Sequence, residues 1–141
     1  MGRRALRPLL LDTCAVLLMD RGAHLRPEAE TALQEAQAEP GSAFLSPITA
    51  WEIGMLVAKG RIVLSAPPLR WFESALEAGI GLADLPPSVL VESTQLEDAR
   101  LRDPADRILA ATARAYGYRL VTRDRPLLDY AAAGHISAIA C

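Results

Sequence analysis

The chain has 141 residues, 51% of them apolar and 23% charged, with a net charge of −2. That length suits one domain, residues 1–141, with a single real core, and the composition excludes a disordered chain. No run approaches the roughly 18 apolar residues of a membrane span, and Asp12 interrupts MGRRALRPLLLD too early for a secretory segment, so a soluble, cytoplasmic protein without a membrane partner is expected.

In chain order, LLL (9–11) reads as a short buried strand ending at Asp12, and TCAVLLMDRG as an apolar helix. PEAETALQEAQA (27–38) begins with Pro and carries early acids, as a helix N-terminus prefers. AFLS (43–46) is a second strand, PITAWEIGMLVAKG (47–60) a helix stopped at Gly60, and PLRWFESALEAG (68–79) an amphipathic helix. GLADL (81–85) reads as a strand and PPSVLVESTQL as a further helical turn or two. DPADRILAATARAYG (103–117) is a helix between Asp-Pro and Gly, YRLVT (118–122) a strand, RPLLDYAAAG a helix and HISAIA a last strand. Short apolar strands alternating with helices predict an α/β fold, a parallel sheet covered on both faces.

Ligands of such sheets bind beyond the carboxyl ends of the strands, which directs attention to the acids there. Asp12 follows LLL and Asp124 follows RLVTR. Glu52 is the only charge between Pro40 and Ala58, and it shares a helix face with Ile48, Met55 and Leu56. Asp106 shares a face with Leu109, Ala110 and Ala113 and should point inward, away from Arg107 and Arg114. A carboxylate in apolar company costs several kcal/mol unless a cation compensates it. Capping remains open for Asp12, Asp103, Asp106 and Asp124, whereas Glu52 has only a buried ion pair as its alternative. Four acids converging on one rim suit Mg²⁺ or Mn²⁺, one or two ions, and such ions activate water for phosphodiester hydrolysis. The net charge of −2 speaks against a nucleic-acid partner, but two divalent ions would reverse its sign.

LLLDT, SPITAWEIGML, DPADRILAATA and LVTRD together resemble, in order and spacing, the signature segments of PIN-domain ribonucleases of the bacterial VapC toxin type, over about residues 9–139. The resemblance implies a three-layer sandwich with a central parallel sheet, often a homodimer, that cleaves RNA with Mg²⁺ or Mn²⁺ to leave a 5′-phosphate and a 3′-hydroxyl. It makes Asp12, Glu52, Asp106 and Asp124 the catalytic and metal-holding acids. Asp103 becomes an extra acid that braces the site through water or an outer contact. Thr13, Ser46 and Thr122 match small polar positions that orient carboxylates or waters, or else satisfy local backbone groups. Seven arginines lie between positions 100 and 125; Arg107 and Arg123 are favoured for RNA phosphate, the alternative being a solvated helix face. The family's toxins are held inactive by an antitoxin whose tail enters the acidic groove.

Trp51 and Trp71 read as core, with an antitoxin interface as the other possibility, and Cys14 as a small buried hydrophobe. Cys14 and Cys141 have neither metal-ligand spacing nor a disulfide framework, and neither His24 nor His135 sits where a general base is needed. A phosphoryl-transfer domain with an aspartyl nucleophile needs a partner lysine and, in one class, an acid two residues on; Lys59 is the only lysine and position 14 is Cys. The remaining alternative is a catalytically silent binding module that acts through its antitoxin.

Overall fold

The computed structural model describes residues 7–97 and 100–141. Residues 1–6, part of both the expected domain and the N-terminal segment judged too short for secretion, lie outside the described residues.

The chain builds β1 (Leu9–Leu11), α1 (Thr13–Asp20), α2 (Pro27–Ala38), β2 (Ala43–Leu45), α3 (Pro47–Ala58), α4 (Pro68–Glu77) and β3 (Gly81–Leu82). It continues with α5 (Pro87–Ser93), α6 (Pro104–Tyr116), β4 (Arg119–Thr122), α7 (Arg125–Ala132) and β5 (Ser137–Ala140). The five strands form one parallel sheet in the order β3-β2-β1-β4-β5. The expected alternation stands, with GLADL shortened to the two residues that pair with Phe44 and Leu45.

β1 is central, and its three leucines are fully buried because both faces are covered. Leu9 and Leu11 pack with Val16, Leu33, Ile53 and Phe72 on one face. Leu10 packs with Leu109, Leu120, Leu127 and Tyr130 on the other. This is the expected three-layer sandwich.

From β1 the chain runs outward to β2 and β3, then crosses back through α5 and α6 to lay β4 on the opposite side of β1. The carboxyl ends of β1 and β4 therefore flank a reversal of strand order, where neighbouring connections leave in opposite directions and open a crevice. α6 is delivered to that crevice with defined ends. Asp103 caps its first turn, Pro104 occupies its first position, and Gly117 takes the left-handed conformation (φ 71°) that closes it.

Candidate metal and nuclease site

Asp12 leaves the end of β1 and caps α1, so a 4%-exposed carboxylate is held by two donors. Its Oδ1 accepts from the Ala15 backbone N–H at 2.6 Å, and its Oδ2 accepts a short hydrogen bond from the Thr122 hydroxyl at the end of β4. Thr122 Oγ1 in turn accepts the Asp124 backbone N–H at 3.0 Å, so one buried hydroxyl ties the ends of β1 and β4 together. Asp124 caps α7 by accepting from Leu127 N–H at 3.1 Å. For Asp12 and Asp124 capping does not exclude a place in the site: Asp124 meets the helix through one oxygen only, and Asp12, whose two oxygens accept from Ala15 and Thr122, keeps a further lone pair on each.

Glu52 enters from α3, one helix turn after Thr49, and its Oε1 accepts from the Thr13 hydroxyl at 2.5 Å. The Thr13 oxygen also lies 3.1 Å from the fully buried Thr49 hydroxyl. No cation pairs with Glu52, so the buried ion pair that was its alternative is not formed among the described residues. Asp103 sits at the exposed mouth and accepts from the Asp106 backbone N–H at 3.1 Å.

Asp106 lies at the centre of the cluster. Burial pushes its carboxyl group up to about 8, and the negative charges of Asp124, Asp103, Glu52 and Asp12 push the same way. Among the described residues no group donates a hydrogen bond to this carboxyl group, and nothing lowers its pKa. Asp12 is raised to about 6: burial dominates, Thr122 and Ala15 favour the carboxylate, and Asp124 opposes it. Glu52 is raised by burial as well, with Thr13 opposing and the charges of Asp103 and Asp12 reinforcing. Among the described residues none of the five acids makes an ion pair.

The donor set fits a hard divalent cation in chemistry and in charge, since oxygen acids raised by burial and by their neighbours' negative charge are stabilised by positive charge between them. Among the described residues, no three of these groups already close into a finished ligand set. Loading the site therefore requires side-chain closure.

Several expectations change. Arg107 is turned to the fold and not to phosphate: Nε donates to Ser93 O at 2.8 Å, Nη1 to Leu101 O at 2.6 Å and Nη2 to Leu96 O at 3.3 Å, so each of its three nitrogens is engaged by the α5–α6 connection. Arg123 stays exposed at the rim with one Nη donating to Cys141 O at 2.9 Å. Ser46 caps α3 through Ile48 N–H, the local backbone role. Cys14 is exposed, because the second residue of α1 turns away from the sheet. Trp71 is core at 5% exposure, whereas Trp51 is 53% exposed. Thr49 was missed, although its place three residues before Glu52 puts both on one helix face.

The PIN domain family model matches residues 9–133. The chain belongs to the PIN domain family. Ribonuclease VapC22 of Mycobacterium tuberculosis (strain ATCC 25618 / H37Rv) is 36% identical over 83 residues, 59% of this chain and 63% of that relative. The match thus spans less than two thirds of the relative's length. Among solved structures, a DNA-bound VapBC from Salmonella typhimurium superposes with a TM-score of 0.67 at 17% identity, covering 96% of this chain and 98% of that one. A toxin-antitoxin complex from Klebsiella pneumoniae gives 0.61 at 23% identity, over 93% and 95%. Both likenesses concern the fold. No helix among the described residues is long and apolar enough to cross a membrane.

Proposed function

We propose that this PIN protein, residues 1–141 forming one domain, is a divalent-metal-dependent endoribonuclease and the toxin of a toxin-antitoxin pair. The observation that carries the reading is Asp106, a half-buried carboxyl group surrounded by four other acids, none of which makes an ion pair among the described residues. A structural cluster of that kind is unfavourable by itself, and a bound cation removes the cost.

Asp12, Glu52, Asp106 and Asp124 would hold one or two Mg²⁺ or Mn²⁺ ions, with Asp103 bracing the mouth. When bound, the ions supply a water of lowered pKa and neutralise charge on the phosphodiester. The chain's own groups do the rest. Thr122 and the Ala15 N–H fix Asp12, and Thr13, backed by Thr49, fixes one oxygen of Glu52. The remaining carboxylate oxygens are left to accept protons from water. Arg123 is suited to a phosphate oxygen with the part of its fork that Cys141 does not use. A cytoplasmic location, an antitoxin that masks the acidic rim and a homodimer complete the reading.

The test is cleavage of total RNA by the purified chain. Mg²⁺ or Mn²⁺ should support cleavage, chelator should abolish it, and Asp12→Asn should slow it by at least about 100-fold. Expression of the chain alone should arrest growth. Cleavage that survives chelator, or Asp12→Asn cleaving as fast as wild type, removes the proposed chemistry; growth arrest retained in that variant favours a silent module acting through its partner.

A further inference from the structure

The two edges of the sheet are built differently. β3 ends it with two residues, whereas β5 ends it with four, SAIA, all partly exposed and with neither charge nor proline among them. In a parallel ladder one residue turns both its N–H and its C=O to a neighbouring strand, and the next turns both away. Cys141 N–H donates to Thr122 O at 2.9 Å, so Ser137 and Ile139 also face β4 while Ala138 and Ala140 face outward. Among the described residues no backbone group meets those outward N–H and C=O groups. An edge strand without charge or proline is a template for a further strand. Beside it, Ile139 lines an open groove of about 510 Å³ with Glu28, Thr31 and Glu35 of α2 and Arg119 of β4. Glu28 lies toward the carboxyl end of β5, in the turn that follows Arg26, whose N–H reaches Cys141 O at 3.4 Å. Arg119 lies at the amino end, in register with Ser137. Neither makes an ion pair among the described residues.

We infer that β5 pairs antiparallel with β5 of a second copy of this chain, about a twofold axis through Ile139. Self-complementarity decides the occupant. Ala138 and Ala140 flank Ile139 symmetrically, so Ala138 of one copy meets Ala140 of the other, and every outward N–H and C=O of both is paired. Ile139 then faces its own counterpart as a close apolar pair on the α2 side of the joint sheet. The charges agree with this arrangement. Antiparallel strands set the Glu28 end of one groove beside the Arg119 end of the other, so each acid gains the cation that its own chain keeps at the far end. A twofold interface uses one patch twice, and this patch carries both partners of every contact. The acidic rims lie at opposite ends of the joint sheet. The inference rests on the proposed self-association and names a surface that performs it; it does not depend on the ribonuclease chemistry.

The experiment is sedimentation equilibrium of the full chain, joined to a cross-linking assay. Ala138→Pro removes an outward N–H and spares the pairing with β4, and it should raise the dissociation constant of the assembly at least about tenfold. Ile139→Lys sets like charges opposite each other and should do the same; it carries the test if the proline variant does not fold. In a Cys14→Ser background, Ile139→Cys should form a disulfide-linked dimer under copper-catalysed air oxidation. Val63→Cys, at a 96%-exposed position on the α3–α4 connection, should do so far more slowly. A wild type that stays monomeric at its highest soluble concentration overturns the homodimer and this inference together. A wild type that associates with the same constant as Ala138→Pro and Ile139→Lys overturns this inference alone: copies then meet elsewhere, and the edge is left to a strand of another protein.

Discussion

Asp106 and Arg107 are adjacent on α6, yet the two sides of the helix they face are built on opposite principles. On the Arg107 side Arg107, Arg114 and Glu97 all find partners within the chain. The guanidinium satisfies three carbonyls, and nearby Arg114 meets Glu97 and the Tyr130 hydroxyl, while His135 stacks on Tyr130 and lies 3.8 Å from Glu97. On the Asp106 side five acids are left uncompensated among the described residues. Charges that serve the fold are paired within the chain, whereas charges left unpaired at a strand-end crevice are kept for something that arrives from outside.

The largest expected effect separates the two sides by activity. Asp106→Asn should cleave RNA at least about 100-fold more slowly, yet in chelator it should unfold at the same or a higher urea concentration, since a repulsive charge is lost. A large loss of stability would show that Asp106 belongs with the structural charges after all. The converse holds for Arg107→Met, which strands three carbonyls in the α5–α6 connection and should cost about 2–4 kcal/mol in urea unfolding. Its effect on KM for RNA should be no larger than that unfolding explains.

A smaller effect lies in pH. Without metal, folded Asp12 holds its proton until about pH 6 and Asp106 until about pH 8, whereas unfolded aspartates release theirs near 3.8. Between those values the folded state binds more protons, so stability is greatest below about pH 4 and falls as pH rises through 6 and then 8. In chelator the melting temperature should therefore drop from pH 5 to 8.5. Mg²⁺ should restore more of it at 8.5 than at 5, because ions compete with protons for the same oxygens. A melting temperature flat across this range, in both conditions, would contradict the uncompensated cluster.

Thr122→Val tests the single hydroxyl that joins the two strand ends. It should cost about 1 kcal/mol and push Asp12 further up, visible as a more alkaline activity profile. Glu97→Gln, at an exposed pair, should change stability by less than about 0.5 kcal/mol.

These contrasts show which features were legible in the amino-acid sequence. Strand ends and apolar company were enough to mark Asp12, Glu52, Asp106 and Asp124, because both follow from local pattern and from the geometry of parallel sheets. Arg107 was misread because its partners are carbonyls 6 to 14 residues away, in a connection whose path no periodicity encodes. The exposure of Cys14 and Trp51 was missed for a related reason: an apolar helix buries only the faces that neighbours cover, and the neighbours of α1 and α3 are set by tertiary packing. Thr122 was marked only as a small polar position, since its bond to Asp12 spans 110 residues.

The central claim, that the acidic rim is a cation site rather than a strained remnant of the fold, is tested most directly by titrating Mn²⁺ into the protein at pH 8 and following free Mn²⁺ by electron paramagnetic resonance. The wild type should remove Mn²⁺ from solution saturably, Asp106→Asn should bind at least about tenfold more weakly, and Arg107→Met, while folded, should bind as the wild type does. Equal binding by the wild type and Asp106→Asn, or no saturable binding by either, would contradict the account.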